Sequence, residues 1–200
     1  ALIRNTNMLV ISDEVYEHMV FDGCAHASVS SHPELAERAF VISSFGKTYH
    51  VTGWKIAYCL APKALMAEFR KTHQFVVFTV HTPSQHAIAE YMKLGTHHEL
   101  SAFYQAKRDF FLELVASSPL RWKSSRGTYF VLAEYGHLTE HAGKTEAEFS
   151  EWLTRKIGVA CIPVSAFYAD GDDHRIVRFC FAKREETLMR AAERLAKLQH

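Results

Sequence analysis

The sequence predicts an α/β chain in two parts. A mostly parallel sheet with helices fills residues 1–115, and a small α+β unit fills residues 116–200. Three observations carry this. Apolar runs at Met8–Ile11, Phe40–Ser43 and Ile56–Leu60 each read as a short buried strand. From Pro62 to Leu114 apolar residues recur at helical spacing. Beyond Ser117-Ser118-Pro119, strand-like and helical runs alternate.

Taken in order, Met8–Ile11 ends at Ser12-Asp13, like a parallel strand with polar groups at its carboxyl end. Pro33–Arg38 is a short helix, with Ser30 or Ser31 near its cap. Phe40–Ser43 and Ile56–Leu60 repeat the pattern of the first strand. Pro62 opens a helix that places Leu65, Met66, Phe69, Val76 and Val77 on one stripe. Pro83 opens another that runs to Met92, and Phe103, Phe110, Phe111 and Leu114 mark a third. Strands are expected at Thr128–Ala133, Val159–Ile162 and Arg175–Phe181. Helices are expected where Phe149, Trp152, Leu153 and Ile157 share a face, and where Leu188, Ala192 and Leu195 do. The polar stretch His137–Lys144 reads as an exposed loop. The chain opens Ala1-Leu2-Ile3-Arg4 without Met, and Leu2 and Ile3 read as the tail of an amphipathic helix. The expectation is a fragment that starts within a domain.

Composition narrows the function. At 200 residues the chain can bury a sizeable core. Its formal net charge is +1, so no strong field points to nucleic acid or a membrane surface. No apolar run approaches the length needed to cross a bilayer, and no signal peptide is evident. Cys24, Cys59, Cys161 and Cys180 are scattered, three of them in apolar runs, which predicts buried, reduced thiols in a cytoplasmic protein. The 13 histidines show no His-Glu-x-x-His pattern, so surface or capping roles are expected and no metal site.

The chemistry concentrates at Ser43-Ser-Phe-Gly-Lys47-Thr-Tyr-His-Val-Thr-Gly-Trp-Lys55. Lys47 stands between two apolar runs, a poor place for a solvated ammonium and a good one for an amine that forms an imine. Gly46 and Gly53 permit sharp turns and close approach to a ligand. Ser43, Ser44, Thr48 and Lys55 offer donors to a phosphate. Imine and phosphate together suggest pyridoxal 5'-phosphate (PLP). Asp13 sits at a strand end, where a carboxylate can pair with a protonated pyridine nitrogen, and Tyr16 can reach the ring's phenolic oxygen. Taken alone, the same two residues better suit a helix cap (Asp13) and a packed aromatic (Tyr16), the commoner roles for so short a motif. Ser44-x-x-Lys47 also matches the penicillin-binding pattern, but its companions are missing: there is no Ser-Asp-Asn, and Tyr49 stands where Gly belongs. Arg178 shares a strand face with Ile176 and Cys180, which predicts a buried, paired guanidinium serving either a ligand carboxylate or an internal ion pair.

In order along essentially the whole chain, Asp13-Glu-Val-Tyr16, the Ser43–Lys55 segment, Gly127-Thr-Tyr-Phe130, Ile162-Pro-Val-Ser-Ala-Phe-Tyr168 and Val177-Arg-Phe-Cys-Phe-Ala-Lys183 resemble the fold-type I PLP enzymes of the class I/II aminotransferase family. Methionine aminotransferases and their kynurenine/glutamine relatives carry very similar lysine-loop and Ile-Pro-Val-Ser segments. The resemblance implies that Lys47 is the Schiff-base lysine and proton carrier. It implies that Asp13 pairs with the pyridine nitrogen, that Tyr16 bonds the phenolic oxygen, and that Ser44 and Lys55 hold the phosphate. Many relatives have arginine at the position of Lys55. Arg178 is implied to hold the substrate carboxylate, with Phe167 near the substrate side chain. It further implies a homodimer acting on methionine or aromatic amino acids and 2-oxo acids. The family's N-terminal half has no counterpart here, so PLP binding by these residues alone is expected to be weak.

Two other functions share these features. A PLP-dependent C–S β-lyase would use the same lysine and arginine but release pyruvate and a thiol. An aminotransferase-like effector domain of a transcription regulator would bind ligand without turnover.

Overall fold

The computed structural model describes residue 3 and residues 5–198. Of the expected helix tail, Leu2 lies outside the described residues, and Ile3 sits in a turn whose carbonyl accepts the Thr6 N–H. Two compact units divide at Ser101 and Ala102.

In the first unit, β1 (Val10–Asp13), β2 (Ala39–Ser44) and β3 (Ala57–Leu60) form a sheet of order β1-β2-β3. β1 and β2 are parallel, with Val10 opposite Ala39 and Asp13 opposite Ile42. β2 is central, and Ala39, Val41 and Ser43 on one face are buried. β3 corrects the expectation of a parallel strand: it runs antiparallel to β2, pairing Ser44 with Ala57 and Val41 with Leu60. The connection from Phe45 to Ile56 holds only two single helical turns, at Phe45–Thr48 and Thr52–Trp54, and no helix long enough to carry the chain back for a parallel crossover. Met8–Ile11 is not buried either. Ile11 is 73% exposed, because β1 is an edge strand with one face uncovered among the described residues.

Helix α1 is only Pro33–Ala36. It starts at Pro33 as expected and its cap is His32; the neighbouring Ser30 and Ser31 lie in a preceding 3-10 turn capped by Ser28. After β2 come α2 (Phe45–Thr48), α3 (Lys63–Val76) and α4 (Thr82–Met92). A 3-10 turn at Thr96–Glu99 leads into α5 (Leu100–Leu114).

The second unit holds β4 (Arg121–Lys123), β5 (Phe130–Glu134), β6 (Ile162–Pro163) and β7 (Ile176–Cys180) in an antiparallel sheet of order β4-β5-β7-β6. Strand alternation turns Val131 and Ala133 of β5 and Val177 and Phe179 of β7 into the core. α6 (Glu146–Trp152) starts on a capping box between Thr145 and Glu148. It widens into a π-turn at Leu153–Ile157, then stops at Gly158. Glycine suits this position: φ is +75°, a conformation that side chains rarely adopt, and a Cβ would displace the Arg194 guanidinium tip. α7 (Glu185–Leu195) buries Leu188, Ala192 and Leu195.

Three further expectations are corrected. Val159–Ile162 supplies strand only at Ile162 and Pro163, because Val159 still belongs to the helix exit. His137–Lys144 is no exposed loop. Leu138 is fully buried, and the buried His141 ring lies 4.1 Å from that of Trp152, while His137 Nε2 donates to the Pro119 carbonyl. The cysteines are free but not buried: Cys24 and Cys180 are exposed, while Cys59 and Cys161 are half-buried. Cys180 lies on the solvent-facing side of β7, opposite Phe179.

Candidate active site

β2 ends at Ser44, and the chain turns at once into α2. Ser44 keeps an extended backbone, and its Oγ accepts the Gly46 N–H at 3.1 Å, an N-cap of the kind serine makes. Lys47 is half-buried on this single helical turn. The expected close approach at Gly46 is real, but its partner is the chain itself: a Cβ there would lie 2.8 Å from Thr52 Cα. Val51 N–H donates to the Gly46 carbonyl, and a 3-10 turn at Thr52–Trp54 follows. That turn delivers Lys55 in the left-handed region at φ 56°, exposed. Ser44 Oγ also lies 3.5 Å from the Ile56 carbonyl, so Lys55 is next in chain to a residue touching Ser44.

The parallel register brings Asp13 to the same sheet edge. Asp13 lies opposite Ile42, and the Glu14 N–H donates to the Ile42 carbonyl at 2.7 Å. The Asp13 side chain is exposed, with Oδ1 accepting the Val15 N–H at 3.2 Å. Tyr16 is half-buried in the turn that follows. Asp13, Ser44 and Lys47 therefore gather at the carboxyl ends of two parallel strands, where ligands of such sheets bind.

Two acids given no role by the sequence stand behind this edge. Glu14 is buried. Its Oε1 accepts Ser12 Oγ at 2.9 Å and the Val29 N–H at 3.0 Å, and Oε2 lies 2.8 Å from His26 Nε2. Burial alone would raise its pKa, but hydrogen bonds from His26, Ser28, Val29 and Ser12 outweigh it and bring the carboxyl down to about 2. Glu17 Oε1 accepts both Ser43 Oγ, at 2.7 Å, and the Tyr58 hydroxyl. Burial and that bond to Glu17 push the Tyr58 phenol up to about 12. Glu17, Tyr58, Phe45, Tyr49, His18 and His97 also help line a cavity of about 290 Å³ beside α2. Among the described residues no cluster of His, Cys, Asp and Glu is arranged to hold a metal.

Arg178 and Phe167 belong to the second unit. Val177 and Phe179 point into the core, leaving Arg178 half-buried on the other face. Of the two roles expected for it, the internal ion pair is not made. Among the described residues the guanidinium has no carboxylate partner and no acceptor, although Glu134 stands diagonally from it on the same face, paired with Ile176. Instead Cζ stands 4.4 Å above the Phe130 ring and 4.7 Å above that of Phe167. Phe167, 61% exposed, ends a 3-10 turn at Val164–Phe167. Sequence reasoning matched Gly127–Phe130 to the family but gave Phe130 no role. The signal was its diagonal position, two residues from Leu132, which pairs with Arg178.

A family model for aminotransferase class I and II matches residues 1–195. The methionine aminotransferase of Escherichia coli (strain K12) is 48% identical over 98% of this chain and 50% of its own length. A kynurenine–oxoglutarate transaminase of Dictyostelium discoideum is 37% identical over 96% of this chain and 49% of its own. The chain thus spans about half the length of the curated relatives it matches. Among solved structures, Escherichia coli YbdL, identified with a methionine aminotransferase function, superimposes with a TM-score of 0.90. It shares 47% identity, over 98% of this chain and 52% of that one. N-succinyldiaminopimelate aminotransferase from Mycobacterium tuberculosis gives a TM-score of 0.85 at 35% identity, over 95% of this chain and 50% of that one.

Proposed function

The chain belongs to the class I and II aminotransferases, and on that premise we propose that it is the lysine-bearing part of a PLP-dependent transaminase. The amino group of methionine or an aromatic amino acid passes to a 2-oxo acid. The observation that carries this is Lys47 on a half-buried turn directly after the carboxyl end of β2, at the edge shared with Asp13.

The residues present fit the cofactor. Asp13 is exposed and keeps one carboxylate oxygen unbonded among the described residues, as a partner for a pyridinium needs. The hydrogen of Ser44 points to an acceptor at the 3.5 Å limit, so it is easily redirected to a phosphate. Lys55 is exposed and, among the described residues, pairs with no carboxylate. When bound, PLP supplies an electron sink that stabilises negative charge at the substrate's α-carbon. Lys47 Nζ would take the proton from that carbon and deliver it to the cofactor's C4′, on the far side of the intervening nitrogen. Asp13 holds positive charge on the ring nitrogen. Tyr16 orients the phenolic oxygen, Ser44 and Lys55 retain the phosphate, and Arg178 binds the substrate carboxylate with Phe167 beside the side chain.

We read residues 1–115 as the C-terminal part of the cofactor-binding domain and residues 116–200 as the small domain. A homodimer in the cytoplasm is the form expected. The exposed Phe75, Val76 and Phe78 at the end of α3 support an association surface, and among the described residues no helix is long and apolar enough to cross a membrane.

Borohydride treatment of the chain with PLP, followed by peptide mass spectrometry, tests this. The pyridoxyl group is expected on Lys47 and nowhere else at comparable yield. Labelling spread over other lysines, or unchanged total labelling in Lys47→Ala, would overturn it.

A further inference from the structure

The free donors of Arg178 raise a question of geometry: what holds a flexible guanidinium in place when no acid does? Two aromatic rings and one buried acid answer it. The rings of Phe130 and Phe167 stand 4.4 and 4.7 Å from Cζ, occupying space beside the cation without using its N–H groups. Phe130 is fixed by β5. Phe167 lies on a largely exposed turn and needs an anchor of its own.

Glu146 supplies it. This carboxylate is fully buried at the start of α6 and accepts three backbone N–H groups. Oε2 takes the Ser165 N–H at 2.5 Å, and Oε1 takes those of His174 at 3.0 Å and Ile176 at 2.9 Å. Ser165 lies two residues before Phe167, and Ile176 two before Arg178. One side chain therefore ties the turn carrying Phe167 to the strand carrying Arg178.

We propose that Phe130, Phe167 and Glu146 are positioning residues for Arg178: the rings hold the guanidinium with its N–H edge open, and the buried acid holds the rings and the cation in register. The assembly selects a carboxylate whose attached chain is apolar, because the donors lie beside two hydrocarbon surfaces. This rests on the reading of Arg178 as the carboxylate anchor.

The test follows the Arg178 Nε–Hε resonance of the isotope-labelled chain during titration with 3-phenylpropionate, and with neutral 3-phenylpropanamide as control. In the parent chain Hε is expected upfield from ring currents, shifting with the acid and not with the amide. Phe130→Leu and Phe167→Leu are expected to move Hε toward its free-arginine position and to weaken binding about three- to tenfold, while Phe130→Tyr keeps both. Glu146→Gln retains an oxygen for His174 and Ile176 but turns an NH2 toward the Ser165 N–H. It is expected to free the Ser165 amide and to weaken binding as Phe167→Leu does, with the sheet resonances unmoved. Leucine variants that bind like the parent with unmoved Hε would overturn the inference and leave the anchor standing. A parent Hε that ignores the acid would overturn the anchor, and the inference with it.

Discussion

Ser43 donates its hydroxyl to Glu17 Oε1 at 2.7 Å, joining the last buried residue of β2 to the turn after β1. Tyr58 on β3 donates to the same oxygen, so one carboxylate gathers all three strands next to the Lys47 turn. Ser43→Ala removes one donor and is expected to cost about 1–2 kcal/mol of stability in urea unfolding. Glu17→Gln should bring the Tyr58 phenol, now near 12, back toward its ordinary value in an ultraviolet pH titration.

Gly46→Ala is expected to be worse than its size suggests. The added Cβ would meet the Thr52 backbone at 2.8 Å, and backbone yields less readily than a side-chain tip. A loss of about 2–3 kcal/mol is expected. The same variant should broaden the amide resonances of Lys47 and Val51, since the turn must open to admit the methyl. An alanine variant as stable as the parent would contradict the close approach.

Stability should fall in two stages on acidification. Burial holds His18 and His141 below the ordinary histidine value of 6.5. For His18 the neighbouring His97 and His98 add to this against Glu17, and for His141 Lys144 does so against Glu140. His141 Nδ1 lies 3.2 Å from Lys144 Nζ, which can only donate, so the neutral ring is the one that fits. The unfolded chain takes up these protons first. Stability is therefore full above about pH 6.5 and declines below it. Glu14, at about 2 when folded against an ordinary 4.5, protects above pH 4.5 and loses its contribution as pH falls toward 2. Urea midpoints across this range should show both stages, and Glu14→Gln should shrink the lower one, leaving the part due to Asp173 and Glu148, whose carboxyls are also held low.

Thiol reactivity should rank by environment. Burial pushes Cys161 up to about 11 despite its bond to Ser150, and burial also raises Cys59. Iodoacetamide at neutral pH is expected to label the exposed Cys24 and Cys180 first and Cys161 last, read by peptide mass spectrometry. Early labelling of Cys161 would refute the burial assigned to it.

The legible part of this molecule was its local chemistry. Lys47 stood out because an amine between two apolar runs has few other reasons to be there, and Asp13 because strand ends collect ligands. What stayed hidden was non-local. An apolar run such as Ile56–Leu60 carries no sign of its direction, so the reversal of β3 could not be read. Whether Met8–Ile11 is covered depends on neighbours, not on its own residues. Glu146 looks like any acid in a first helical turn, where it favours the dipole. Only the fold turns it inward onto three N–H groups. Arg178 was placed on the right face but left between a ligand carboxylate and an internal ion pair, because alternation reports a side and not what stands across from it.

The antiparallel turn of β3 has one more consequence. Ser44 and Ala57 pair across the sheet, so the excursion from Phe45 to Ile56 begins and ends at a single rung. Lys47 and Lys55 ride on a closed loop whose two ends cannot drift apart without breaking that rung. Its closure is set by folding, before any ligand arrives, and a bound phosphate would have only side-chain rotations left to freeze. A slip of one residue at the rung would carry both lysines off the edge together, so the loop either presents the pair or presents neither.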